Sequence, residues 1–119
     1  MVTETDLEIT EDEGEEGTLV RLRGRLSIDS SPAFRDRLLA LLRRQSAPGV
    51  IVDLTEVSYM DASGVATLVE GLKAARNRQT TLRLQGLQGR VRHLFEVTGL
   101  LTLFETSGRG SASSEPKVS

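Results

Sequence analysis

Apolar and polar residues alternate twice near the start of the chain, through Leu7 and Ile9 between acids and, less regularly, across residues 18–26. This period of two predicts a pair of antiparallel strands. The stretch between them, residues 12–17, carries Gly14 and Gly17 among four acids and reads as a solvated hairpin connection. The period then changes. Phe34, Leu38, Leu41 and Leu42 recur at helical spacing, with Ser31 as the expected N-cap and Pro32 at the first helical position. Arg43 and Arg44 suit the negative C-terminal end, and Pro48-Gly49 stops the helix. The apolar run Val50-Ile51-Val52-Asp53-Leu54 predicts a central strand covered on both faces and hence a parallel sheet. Val65, Leu68, Val69 and Leu72 predict a second helix ending near Asn77, and residues 81–84 return as a strand. Val91, Leu94 and Phe95 predict a further helix, with Gly99 as its left-handed stop and Leu100 making the accompanying apolar contact. The pattern gives an α/β domain with an N-terminal hairpin, a mixed sheet of four to five strands and about three to four helices. Those helices should cover one face of the sheet more fully than the other.

With 119 residues the chain fits one domain, placed at 5–106, and the Ser/Gly-rich residues 107–119 read as a disordered tail. Eight of the seventeen acids fall within residues 1–16 and none of the fifteen bases does, leaving +6 on the remainder. Thirteen of those bases are Arg, but they are dispersed, and three Phe with one Tyr offer little to stack bases. The expected role of this charge is a solvated surface rather than a nucleic-acid site. Cysteine is absent and His93 is the single histidine, so neither a disulfide framework nor a structural metal is expected, and no cofactor is implied. No apolar stretch approaches the roughly 18 residues of a membrane span, and nothing after Met1 reads as a secretory signal. A cytoplasmic location is expected, without membrane insertion.

The stretch with chemical potential is Asp61-Ala62-Ser63-Gly64, between a strand-like run ending at Leu54 and a helix-like run beginning at Val65. A helix mouth has unpaired N–H groups and the positive end of the macrodipole, which favour an anion such as a phosphate on Ser63. From the residues alone the more ordinary reading is that Asp61 and Ser63 are cap residues. A catalytic reading, with Ser63 as nucleophile and His93 as base, lacks the G-x-S-x-G elbow. Gly86-Leu87-Gln88-Gly89 lacks the Lys and Ser/Thr of a phosphate-binding loop and reads as a simple turn. No enzymatic activity is expected.

Residues 50–65, an apolar strand, Asp53-Leu54, then Asp61-Ala62-Ser63-Gly64 opening a helix, resemble the STAS family, specifically the bacterial anti-sigma factor antagonists. The resemblance spans about residues 5–106. Gly24-Arg25-Leu26 matches a turn after the second strand, and Val97-Thr98-Gly99-Leu100 with Leu103-Phe104 matches the C-terminal signature. It implies a phosphorylation-controlled binding module whose unphosphorylated form binds an anti-sigma factor that is also a serine kinase, and so releases a sigma factor. By this resemblance Ser63 is the phosphoacceptor, and a serine phosphatase restores the active form. The partner-binding set is Asp61, Ala62, Ser63 and Gly64, with Asp61 orienting the hydroxyl or capping the helix and Gly64 leaving room for the kinase. Many relatives carry an acid directly after the Gly-x-Leu turn. This chain has Ser27 there and Asp29 two residues later, and both are carried as candidate contacts. A weak homodimer is left open. The alternative is a STAS subunit of a lipid-transport ABC complex or of a stress-signalling assembly, which carry similar segments.

Overall fold

A computed structural model describes residues 6–44 and 49–108. The first two strands, β1 (Leu7–Gly14) and β2 (Gly17–Leu26), pair antiparallel in a ladder that closes at Gly14 and Gly17. The connection is therefore two residues, Glu15 and Glu16, rather than the six expected. Gly17 makes this closure possible: its φ is +124°, and a side chain there would collide with the Gly49 carbonyl. Helix α1 (Ser31–Arg44) leads to β3 (Val50–Met60), α2 (Ala62–Asn77) to β4 (Leu82–Gln85), and α3 (Gly89–Val97) to α4 (Leu100–Gly108). The sheet has four strands in the order β1-β2-β3-β4, antiparallel between β1 and β2 and parallel in the other two pairs. Pro48, read as part of the stop of α1, lies outside the described residues, as do residues 109–119 of the expected tail. Helix α4 runs two residues beyond the expected boundary at 106.

Packing follows the apolar pattern. Val20 and Leu22 of β2, Val52 and Leu54 of β3 and Leu82 of β4 are buried against Phe34, Leu38 and Leu42 of α1 and Leu68 and Leu72 of α2. Burying each such side chain contributes about 1.5–3 kcal/mol. Phe95 and Phe104 meet edge to face with centroids 5.8 Å apart, joining α3 and α4 to the same core. The expectation that β3 is covered on both faces holds for Val50, Ile51, Val52 and Leu54, which are buried, and fails at Asp53 and Thr55. Its outward residues Asp53 and Thr55 join Arg21, Arg23, Glu8, Thr10 and Glu56 around an open polar groove. Burial works against ionisation of Asp53, but the Thr55 hydroxyl and amide and then Gln85 outweigh it and hold the carboxyl below its usual range.

The acidic N-terminal stretch is paired rather than merely solvated. Glu11 meets Arg37 at 2.8 Å, Glu13 meets Arg44 at 3.1 Å and Asp12 meets Arg21 at 3.6 Å. These surface pairs each contribute little, but together they match β1 to α1 and β2.

The run read as ending at Leu54 continues to Met60 because β3 carries extra residues against β2. The register steps from Arg21↔Asp53 to Arg23↔Glu56, and from Gly24↔Val57 to Arg25↔Tyr59. Each step is a bulge that shifts the side-chain phase, so the buried positions after Leu54 are Val57 and Met60, three apart. Gly24-Arg25-Leu26, expected as a turn, is the end of β2. Gly24 there has φ +114°, and a side chain at this position would meet the Asp6 carbonyl.

Candidate functional site

Two loops meet at the C-terminal end of the sheet. The first, residues 27–30, leaves β2 and is folded on itself: Ser30 and Ser31 amides donate to the Ser27 carbonyl at 3.1 and 2.7 Å. The Ser30 hydroxyl accepts from the Ser27 amide at 2.9 Å and donates to the Arg25 carbonyl at 2.7 Å. Helix α1 starts at Ser31, so the position before it belongs to Ser30, one residue earlier than expected. The second loop is a single residue, Asp61, held against the first by its amide donating to the Leu26 carbonyl at 3.3 Å.

Asp61 is the N-cap of α2, with φ −112° and ψ −171°, and both its expected roles are present. Its Oδ1 accepts from the amides of Ser63 at 3.0 Å and Gly64 at 3.4 Å, and from the Ser63 hydroxyl at 2.6 Å. Its Oδ2 accepts from the Ile28 amide at 3.1 Å, tying the cap to the β2–α1 loop. The Ser63 hydroxyl is the largest influence holding the Asp61 carboxyl below its usual range. Partial desolvation opposes this, and the amides of Gly64, Ile28 and Ser63 add to it.

Ser63 lies in the first turn of α2, half-buried, beside an exposed Ala62. Its Oγ is 3.0 Å from Ser31 Oγ. A hydroxyl has one hydrogen, and that of Ser63 points to a carboxylate that only accepts, so Ser31 is the donor between the two serines. Ser31 is the neighbour sequence reading missed, since it was assigned to capping α1 and lies 32 positions away. One turn further, Arg35 of α1 meets Glu70 of α2 at 2.8 and 2.6 Å, closing the two helices below the serines.

Gly64 has a different reason from the one expected. A Cβ there would stand 2.8 Å from Met60 Cγ, 2.9 Å from Leu26 Cγ and 3.0 Å from the Leu26 carbonyl oxygen. The glycine lets α2 sit on the ends of β2 and β3, and it is buried rather than open to an approaching protein. Ser27 is also buried, at 7% exposure, and its hydroxyl accepts from the Asp29 amide at 3.3 Å. It shapes the loop while Ile28, at 72%, and Asp29 stand in solvent. His93 is exposed on α3, 4.0 Å from Glu96, and the Ser63 hydroxyl bonds to Asp61 and Ser31 instead. That arrangement contains no imidazole base for Ser63. Its chemistry is that of an oriented, partly accessible hydroxyl at a helix start whose first amides already bond the Asp61 carboxylate.

A four-stranded mixed sheet backed by helices, with a half-buried serine beside the cap of its second helix, defines a small α/β domain. The chain belongs to the STAS family: the family described as "Mlab, STAS domain" matches residues 9–105. The anti-sigma-B factor antagonist of Listeria monocytogenes is 39% identical over 84 residues, covering 69% of this chain and 71% of that protein. Among solved structures, an anti-sigma-factor antagonist (STAS) domain protein from Planctomyces limnophilus superposes with a TM-score of 0.71 at 20% identity, over 81% of this chain and 86% of that one. The Bacillus cell fate determinant SpoIIAA in its phosphorylated form superposes with a TM-score of 0.66 at 19% identity, over 80% and 86%. At these identities the structures speak for the fold. Among the described residues, no helix is long and apolar enough to cross a membrane.

Proposed function

We propose that this chain is an anti-sigma factor antagonist, a cytoplasmic binding module without catalytic activity of its own. In its unphosphorylated form it binds an anti-sigma factor that is also a serine kinase, and so frees a sigma factor. The observation that carries this reading is the 39% identity, over 84 residues, to a protein named for that role. Ser63 is the phosphoacceptor and a serine phosphatase reverses the modification. The docking surface is Asp61, Ala62 and Ser63 together with Ile28 and Asp29 of the facing loop, and Gly64 and Ser27 support it from beneath.

The proposed switch needs no refolding. A phosphate on Ser63 adds about −1.5 to −2 charges. Within a docked interface that charge has to be desolvated, a cost of about 1–3 kcal/mol, equivalent to roughly 5- to 150-fold in affinity. The test is to incubate the chain and Ser63→Ala with ATP and the cognate kinase and to compare intact masses. One added phosphate on the wild type and none on the variant is expected; equal uptake removes Ser63 from the role. The alternative, a subunit of a lipid-transport ABC complex or a stress-signalling assembly, is separated by pull-down from native cells. Recovery of an ABC ATPase in place of a serine kinase would favour it.

A further inference from the structure

Three large apolar side chains stand exposed among the described residues: Ile28, Tyr59 at 40% and Val97 at 64%. Single exposed apolar residues are ordinary, but Tyr59 and Val97 line one groove. It runs between the end of β3 and α3, encloses about 390 Å³, and is walled by Tyr59, Met60, Val91, Leu94 and Val97 with Arg90 at its side. The bulge at Arg25↔Tyr59 brings the Tyr59 ring outward under Arg25, whose guanidinium lies 4.2 Å from the ring centroid.

What marks this groove is the combination of unpaired arginines with an apolar slot. Arg21, Arg23, Arg35, Arg37, Arg44, Arg83 and Arg92 each have a carboxylate within 4.0 Å. Among the described residues no carboxylate lies within that reach of Arg25 or Arg90, and both flank the groove. Among the described residues Arg43 and Arg78 also lack a carboxylate within 4.0 Å, but neither lines an apolar slot of this kind. His93 also lines it, and Glu96 beside His93 is shared with Arg92.

We infer that the groove between β3 and α3 is a second docking site for a protein partner, one that inserts an apolar side chain from an amphipathic segment flanked by carboxylates. A concave apolar slot takes a side chain, whereas a lipid surface is met by a protruding apolar patch. A second copy packed groove against groove would set Arg25 and Arg90 against the same arginines, so that arrangement repels itself. An acidic segment supplies the missing charge and the apolar filling together. The groove ends at Met60, the residue before Asp61, so an occupant there lies along the same strand end as the proposed switch. The inference rests on the chain being a binding module and is independent of whether Ser63 is modified.

The test uses the 15N-labelled full chain and two synthetic helical peptides with identical leucine spacing, one with glutamates and one with lysines between the leucines. The glutamate peptide should move the amide signals of Tyr59, Leu94 and Val97, bind at least tenfold more tightly than the lysine peptide at low salt, and weaken as salt rises. Val97→Glu, a change at a solvent-facing position, should reduce that binding tenfold or more while leaving the folded spectrum intact. Equal binding of the two peptides, binding of neither at millimolar concentration, or signal changes confined elsewhere would overturn the inference. A concentration-dependent dimer in sedimentation that Val97→Glu dissociates would also overturn it, by showing that a second copy fills the groove. Failure of the Ser63 mass test leaves each of these results readable.

Discussion

Asp61 performs separable tasks with its two carboxylate oxygens, and two substitutions resolve them. Oδ1 holds the helix amides and the Ser63 hydroxyl, while Oδ2 holds the Ile28 amide of the facing loop. Asp61→Ala removes everything: an N-cap contributes about 1 kcal/mol and a partly exposed hydrogen bond about another 1 kcal/mol. With an unfolding entropy of about 2 cal/mol/K per residue over some hundred residues, a loss of about 2 kcal/mol lowers Tm by about 10 °C. Asp61→Asn keeps an oxygen for the cap, and Asn caps as well as Asp, but places an amide NH2 against the Ile28 N–H. It should lose only the loop tether, about half as much. The carboxyl is held below its usual range in the folded state, chiefly by the Ser63 hydroxyl. Its charged form therefore contributes fully above the unfolded value of about 3.9, and that contribution disappears as pH falls through the lower folded value. Urea unfolding of the three proteins from pH 7 down to pH 3 should show a constant gap between wild type and Asp61→Asn above about pH 5, narrowing below it. Equal stability of Asp61→Asn and wild type, or a gap that stays constant to pH 3, would refute the assignment.

Gly64→Ala should destabilise, because its methyl meets the immobile Leu26 carbonyl oxygen as well as Met60; overpacking of about 1–3 kcal/mol exceeds the roughly 1 kcal/mol of helix propensity recovered. Gly71→Ala meets Leu38 Cδ2 at 2.6 Å and Cγ at 3.3 Å and Leu82 Cδ2 at 3.1 Å, side-chain atoms rather than backbone, so denaturant midpoints should rank it above Gly64→Ala. The Arg35–Glu70 pair is bidentate but exposed, so a double-mutant cycle should find a small coupling that vanishes toward 1 M salt, where the Debye length is about 3 Å. A salt-independent coupling would contradict this.

The two long helices were legible because their apolar faces repeat at helical spacing, and α2 ends at Asn77 as its pattern implies. The far half of β3 was not. Its bulges place Leu54, Val57 and Met60 three residues apart inside a strand, a spacing that a period-two reading rejects. The hairpin turn was overestimated for a related reason: acids and glycines describe solvated backbone equally well inside an edge ladder and outside it. At the site, Asp61 and Ser63 could be singled out because cap chemistry is local. Ser31 and Ile28 could not, since their contacts with Ser63 and Asp61 exist only once β2 and β3 lie side by side. Gly64 was recognised as special for the wrong reason, because a glycine's sequence does not say whether the space beside it holds solvent or Met60.

A phosphate on Ser63, the proposed modification, acts on both sides of the local balance. The ester oxygen has no hydrogen, so Asp61 loses its 2.6 Å donor and faces the new charge at close range. Against that, the phosphate gains the positive end of α2, and the Ser31 hydroxyl, already donating to Ser63 Oγ, can turn its hydrogen to a phosphate oxygen. Arg35 is engaged by both carboxylate oxygens of Glu70. Opposing contributions of about 1 kcal/mol each leave the free fold nearly as stable as before, whereas a partner that buries the site adds desolvation with nothing to offset it. The phosphorylated chain should therefore melt within about 5 °C of the unmodified one, while its affinity for the kinase partner falls tenfold or more. A large drop in Tm accompanying the lost affinity would show that the modification acts by unfolding α2, and would defeat the electrostatic account.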